Sequence, residues 1–99
     1  MPVKDYDEAL IEELKDVEEA AEYLTACFED CEEVFLQGLR KVVEAHGGVG
    51  ALAASTELNR ESLYRMLSEN GNPQLSSLSL ILQELGLQLQ FAPVEDKAA

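Results

Sequence analysis

The stretch Val49–Pro73, VGALAASTELNRESLYRMLSENGNP, decides the fold. It predicts two short helices joined by a tight turn, with a third helix after Asn72-Pro73, and this order is typical of a helix-turn-helix. Small or apolar residues stand where the two helices must touch, namely at Leu52, Ala53, Leu58, Leu63 and Met66. The alternative reading is three packed core helices without a role in DNA binding, because short helix pairs also occur in small helical domains.

The second helix of this pair carries the candidate DNA contacts. Burial of Leu63, Met66 and Leu67 turns its other face outward, and arginines on that face can reach guanine edges or phosphates. Backbone N–H groups at the start of a helix also suit phosphates. The predicted DNA-binding residues are Asn59, Arg60, Glu61, Ser62, Tyr64, Arg65, Asn70 and Asn72. For Tyr64, packing between subunits is the alternative to a contact with the DNA backbone.

The remaining helices are predicted from caps and from apolar spacing. DYDEALIEEL, starting at Asp5, is a short amphipathic helix, and Asp16 with Glu19 forms a capping box that opens the next one. Another helix begins near Cys31 and stops at Gly47-Gly48. Further signals are an N-cap at Asn59, a stop at Gly71, and a cap at Ser76 for a helix ending before Gly86. The buried stripe expected for the second helix is Val17, Ala20, Ala21, Leu24, Cys27, Phe28 and Cys31.

The segment Leu87–Phe91, LQLQF, alternates apolar and polar residues and so predicts a short strand. A single strand leaves its backbone N–H and C=O groups unpaired, so a partner strand is needed. Pairing with a second copy of the chain would form a homodimer, which suits a helix-turn-helix that reads two half-sites. The alternative is addition of this strand to the sheet of another protein.

Taken as a whole, the net charge of −13 on 99 residues argues against nucleic acid as a partner, since phosphates repel acidic proteins. The charge is uneven, however. Residues 1–33 contain thirteen acidic and two basic residues, whereas residues 34–99 carry a net charge of only −2. The helix-turn-helix is therefore nearly neutral and the first third is strongly acidic, which indicates two surfaces with different partners.

Several function classes find no support in the sequence. No apolar run approaches the length of a membrane span and the N-terminus has no signal-peptide pattern, so we expect a cytoplasmic protein without membrane association. Cys27 and Cys31 favour apolar packing over metal binding, since one His cannot complete a site. With no nucleophile triad and no phosphate-binding loop, we expect no enzyme, no catalytic residue, no metal and no cofactor.

Two stretches resemble a known family. Ala51–Leu89 and Asp5–Leu24 are similar to the probable addiction-module antidote proteins, a branch of the phage-repressor-type helix-turn-helix group. The first contains the block L-A-x-x-T-x-L-x-R-E-S-L-Y-R-x-L-S-x-N-G-N-P, and the likeness spans roughly residues 4–92. One position departs from the pattern: Glu57 stands where the family usually has Gly in the turn. A side chain in a left-handed turn costs about 1 kcal/mol, and the carboxylate lies beside the predicted recognition helix.

The resemblance implies an antitoxin with two functions. Such a protein neutralises a basic RelE-like toxin, which cleaves messenger RNA, and represses its own operon as a homodimer bound to operator DNA. An acidic segment suits a basic toxin electrostatically, and its apolar stripe would anchor the complex. The residues assigned to toxin binding are Tyr6, Leu10, Ile11, Leu14, Glu18, Glu19, Glu22 and Tyr23. A solvated acidic helix packed on the core is the alternative for this segment.

The predicted fold class is all-α: a five-helix phage-repressor-like helix-turn-helix domain with an acidic N-terminal helical extension and a short C-terminal β-strand. The predicted boundaries are 1–33 for the extension, 34–92 for the DNA-binding domain and 93–99 for a flexible tail. Two other functions stay open at this point. One is a stand-alone phage-type transcriptional repressor, and the other is a helical protein-interaction module without DNA binding.

Overall fold

The computed structural model describes residues 3–95, and the regular secondary structure within them is helical. The predicted all-α class is therefore confirmed. The six helices of this part of the chain are α1 (Val3–Glu13), α2 (Val17–Asp30), α3 (Glu32–Ala45), α4 (Gly48–Thr56), α5 (Arg60–Met66) and α6 (Leu75–Glu84). Residues 96–99 of the predicted tail lie outside the described residues.

The start of α2 follows from its capping residue. The Asp16 carboxylate accepts hydrogen bonds from the backbone N–H groups of Glu18 at 2.9 Å and Glu19 at 3.2 Å, so it satisfies donors that have no partner within the helix. At Cys31 the backbone is extended, which separates α2 from α3 at the predicted position. The predicted cap at Asp16 is thus confirmed, and α3 begins near Cys31 as predicted, although no side chain caps its first turn.

One hydrophobic core holds all six helices together. Its centre is made of side chains with essentially no exposure, among them Leu39, Leu63 and Ile81. Full burial of one such side chain contributes about 1.5–3 kcal/mol. The buried cluster is Leu14, Ala20, Leu24, Leu39, Val42, Val43, Ala45, Leu52, Leu63, Leu67, Ile81, Leu82 and Leu85. The buried residues therefore come from both sides of the predicted boundary at residue 33.

Polar contacts fix α1 and the following turn against α3. Lys41 Nζ lies 2.7 Å from Asp7 Oδ1, which forms an ion pair between the two helices. His46 Nε2 donates a hydrogen bond of 3.0 Å to the carbonyl oxygen of Leu14, whose side chain is 1% exposed. The acidic N-terminal segment is consequently packed on the rest of the chain by both apolar and polar contacts.

The predicted C-terminal strand and fifth domain helix are wrong for the described residues. Gly86 adopts a positive φ of 84°, which ends the turn after α6, and residues 87–90 that follow are neither helix nor strand. Alternation predicts which side chains share a face, but a strand also needs a neighbouring backbone, and no described segment supplies one. Between Glu32 and Glu95 the structure has four helices, so the five-helix count is corrected to four in this region.

The apolar stripe of α2 is narrower than predicted. Ala20, Leu24 and Cys27 are buried, whereas Val17 is 42% and Phe28 62% exposed. Spacing places these residues on one side of the helix, but α3 covers only the middle of that side. Ala21 and Cys31 are exposed as well. Phe28 instead makes an edge-to-face contact with Phe35, with ring centroids 5.4 Å apart.

Two predicted helix ends also differ from the structure. The helix α5 ends at Met66 rather than at Gly71, and residues 67–70 form turns instead. The helix α6 begins at Leu75, with Gln74 in the capping position and no side-chain capping bond, so Ser76 lies inside the helix. Pro73 lies just before the N-cap residue Gln74, outside the helix.

Candidate functional site

The connection between α4 and α5 is three residues long and internally bonded. Thr56 Oγ1 donates to the carbonyl oxygen of Leu52 at 2.7 Å and accepts from the N–H of Leu58 at 3.3 Å. Glu57 has φ 63°, and its N–H bonds to the carbonyl oxygen of Ala53 at 3.1 Å. Glu57 therefore occupies the left-handed conformation that usually favours glycine. The angle between α4 and α5 is held by these bonds together with the packing of Leu52.

The helix α5 exposes a polar face because its apolar face is buried. The Asn59 side chain accepts from the N–H of Ser62 at 3.0 Å and so starts the helix as predicted. Leu63 is fully buried, and Leu67 in the turn after the helix is 2% exposed. The outward residues are Arg60, Glu61, Tyr64 and Arg65, while Ser62 is half-buried. The structure thus brings six of the eight predicted DNA contacts together, five on α5 and Asn59 at its N-cap.

The two arginines of α5 have no ion pair with any side chain of residues 6–95, the part in which the structure describes side chains. The guanidinium of Arg60 lies beside α4, since a Cβ built on Gly50 would be 3.4 Å from its Nη2 atom. Arg65 is exposed in the last turn, where a cation also suits the helix dipole. Two cationic groups are therefore available on this face, with the Glu61 carboxylate on the same helix.

The loop from α5 to α6 folds back onto the end of α5. The Gly71 N–H bonds to the carbonyl oxygen of Ser68 at 2.9 Å, and the Arg40 guanidinium donates a hydrogen bond to the carbonyl oxygen of Leu67. Asn70 and Asn72 are exposed on this loop. The remaining two predicted DNA contacts therefore lie next to the C-terminal end of α5.

The residues assigned to toxin binding divide into exposed and packed groups. Tyr6 is 74% exposed, and Glu18, Glu19 and Glu22 are exposed too. Leu14 belongs to the core, so it is not on the surface that a partner would contact. The side chains that are partly buried against the core are Leu10, Ile11 and Tyr23. Apolar spacing does not distinguish a stripe that faces the core from one that faces a partner.

Like charges crowd the beginning of α2. The pKa of Glu19 is raised above its ordinary value, chiefly by the negative charge of Glu22, with smaller contributions from desolvation and from Glu13, Asp16 and Glu18. Such a surface gains from the approach of cations, which relieve the repulsion among its carboxylates. A few residues further on, burial raises the pKa of the Cys27 thiol, which keeps it in the unreactive thiol form.

An open groove of about 630 Å³ lies between the end of α2 and the loop after α5. We name it the Phe28 groove. It is bounded by Phe28 and Cys31, the first residues of α3, the loop 69–73 and Leu78. The sequence pattern assigned Phe28 and Cys31 to the core, so this surface was missed. One feature of the sequence does point to this surface: Glu29 and Asp30 at the end of α2 have no basic residue beside them in its last turn.

A metal site and a membrane-spanning helix are both absent from the part of the chain that the structure describes. No group of three or more His, Cys, Asp or Glu side chains in this part is arranged to hold a metal ion. None of its helices combines the length and the apolar character needed to cross a membrane.

Comparison with known proteins adds to this geometry. Residues 3–93 match the family described as Probable addiction module antidote protein. An uncharacterized protein of Haemophilus influenzae is 34% identical to this chain over 89 residues, which is 89% of each chain. No solved structure gives a significant match. Since the family match covers nearly all of the sequence, the chain belongs to the probable addiction module antidote proteins, and its role is that of an antitoxin with a toxin as partner.

Proposed function

We propose that this protein is the antitoxin of a type II toxin–antitoxin module. It neutralises a basic RelE-like, mRNA-cleaving toxin by direct binding, and it represses its own operon through a helix-turn-helix formed by α4 and α5. Both roles are binding roles, so the proposal includes no catalysis and no cofactor. Because a RelE-like toxin acts on messenger RNA at the ribosome, the protein works in the cytoplasm.

The exposed face of α5 is the observation that carries the proposal of DNA binding. Arg60 and Arg65 are free of ion pairs among the described residues, and Tyr64 is 56% exposed between them. Arginines on a short helix that projects from a bonded turn can enter the major groove and donate to guanine O6 and N7. Asn70 and Asn72 then lie where the flanking phosphates would pass.

The charge near α5 limits the affinity of a single copy. Four acidic and four basic residues balance between Arg40 and Glu69, so the electrostatic attraction to phosphates is weak and falls further with salt. A homodimer that binds two half-sites about 34 Å apart compensates for this weakness. We assign the dimer contact to the exposed apolar side chains of the segment 87–91, which is not a strand within one chain and in which Leu89 is 46% and Phe91 97% exposed.

On the toxin side, the family supplies the partner and the charge suggests where it binds. An enzyme that cleaves RNA needs a basic face to hold phosphates, and residues 1–33 carry a net charge of −11. Exposed Glu18, Glu19 and Glu22, together with Tyr6, provide carboxylates and an aromatic ring for this contact. Leu10 and Ile11 are partly buried against the core, so only their exposed parts are available to a partner.

Co-expression with the product of the adjacent gene tests the proposal. We expect the adjacent gene to encode a basic toxin that arrests growth when it is expressed alone. Co-expression of this protein should restore growth, and the two proteins should co-purify. We also expect a gel shift of the promoter fragment of the operon at fixed salt. A gel shift without rescue would identify a stand-alone repressor, whereas rescue without a gel shift would identify an interaction module without DNA binding.

A further inference from the structure

The Phe28 groove combines an apolar floor with a polar rim. Phe28 is 62% exposed at its edge, although it already contacts Phe35, and Leu36 below is buried. Pro73 and Leu78 form the opposite wall and are half-buried. An exposed aromatic ring beside a groove of this size is a place where an apolar side chain of a partner gains contact area.

The rim of the groove is negatively charged. Glu32, Glu33 and Glu69 line it, and none of its lining residues is a lysine or an arginine. Glu29 and Asp30 are exposed on the adjoining last turn of α2. Acidic groups are disfavoured at the C-terminal end of a helix by the helix dipole, and α2 has no basic residue there to offset them. The dipole of α3 favours Glu32 and Glu33 in its first turn, but Glu29 and Asp30 have no such compensation, and a cation from outside would supply it.

We propose that the Phe28 groove receives a cationic segment of the toxin, with an apolar side chain between Phe28 and Leu78 and lysine or arginine side chains against Glu33 and Glu69. This inference rests on the proposed antitoxin function and adds a second contact region beyond the start of α2. A second copy of this chain fits less well, because the chain carries a net charge of −13. Asn70 and Asn72, which we assign to operator phosphates, also line the groove, so the two partners would meet at the loop 69–73, while Glu32 and Glu33 keep phosphates from the opposite side.

Cys31 provides a direct probe of occupancy in the full-length protein. It is exposed and lines the groove, whereas Cys27 is buried four residues earlier and its thiol has a raised pKa. Alkylation by iodoacetamide should therefore proceed at Cys31 and be slow at Cys27. With saturating purified toxin, we expect the rate at Cys31 to fall about tenfold or more, as measured by mass spectrometry, because burial in an interface removes access. An unchanged rate would overturn the proposal.

Two variants test the energetic role of the same surface. Phe28→Ala removes the exposed ring, and Glu69→Lys reverses a rim charge outside any helix. We expect each to raise the Kd for the toxin about tenfold or more. Glu84→Lys makes the same charge change at an exposed position outside the groove and serves as the matched control, with a change of about twofold or less. Thermal denaturation checks that each variant is folded.

The outcomes separate this inference from the proposed function. If the wild-type chain binds the toxin while Cys31 stays reactive and both groove variants bind as tightly as Glu84→Lys, the groove is not the site and the antitoxin function stands. If the wild-type chain does not bind the toxin at all, the proposed function fails and this inference fails with it.

Discussion

Gly71 approaches the end of α5 so closely that a Cβ atom on it would lie 2.0 Å from the carbonyl oxygen of Met66. Backbone atoms at the end of a helix cannot yield without moving the loop that carries Asn70 and Asn72. We expect Gly71→Ala to lower the free energy of unfolding by about 1–3 kcal/mol, measured by urea denaturation. The same variant should weaken binding to the operator, because those two asparagines shift.

Gly50→Ala is the matched control for this substitution. A Cβ there would meet only the flexible end of Arg60, at 3.4 Å from Nη2, and the position lies inside α4. Alanine in a helix interior is favoured over glycine by about 0.5–1 kcal/mol, so this variant should be more stable than the wild type. Equal losses in both variants would show that the contact with Met66 is not the cause.

Glu57 is strained by its φ of 63° and also places a carboxylate just before α5. We expect Glu57→Gly to raise the free energy of unfolding by about 1 kcal/mol, because glycine adopts this conformation freely. Glu57→Gln keeps the strain and removes the charge, so it should not gain that stability. Both should bind the promoter fragment more tightly than the wild type. A gain in stability by Glu57→Gln alone would contradict the conformational explanation.

Arg65 is the exposed arginine in the last turn of α5. We expect Arg65→Ala to weaken binding to the operator by about 1–3 kcal/mol, measured by gel shift at fixed salt. Lys15→Ala is the control, since it removes one positive charge from an exposed side chain that pairs with Glu12 far from α5 in sequence. An unchanged gel shift for Arg65→Ala would remove this residue from the DNA-binding surface.

The repulsion around Glu19 makes stability depend on pH. Because the pKa of Glu19 is higher in the folded chain than its ordinary value of 4.5, the ionised carboxylate destabilises the folded state at neutral pH. Glu19→Gln should therefore have a higher Tm than the wild type at pH 7, since the backbone N–H of residue 19 still donates to the Asp16 carboxylate. The advantage should shrink as the pH falls through the raised pKa and vanish below 4.5. A Tm difference that is constant with pH would contradict this explanation.

Local signals in the sequence predict most helix positions correctly. Asp16 and Asn59 cap helices through their own side chains, so neighbouring residues suffice to place those starts. The segment 87–91 was misjudged because a strand depends on a partner backbone, which local alternation cannot reveal. The prediction of a cap at Ser76 is wrong because α6 begins at Leu75 with no side-chain capping bond, so no local side-chain signal marks its start.

The surfaces are harder to predict than the helices. Leu14 fits the apolar stripe assigned to the toxin and Phe28 the stripe assigned to the core, yet Leu14 is 1% and Phe28 62% exposed, the reverse of what spacing predicts. The burial of Leu14 also limits how the acidic segment can be tested. Deleting residues 1–16 would remove Leu14 from the core and Asp7 from its ion pair with Lys41, so it would test folding as well as toxin binding. Substitutions at exposed carboxylates avoid this problem.

The shared core has a consequence for how such antitoxins can diversify. Leu14 and Leu24 from the acidic segment belong to the same buried cluster as Leu63 and Leu67 beside the proposed DNA-reading face. A recombination event near residue 33 would therefore join two half-cores that were never matched, and the hybrid would lose stability at once. We therefore expect new toxin specificity and new operator specificity to arise by separate surface substitutions that leave the shared core unchanged.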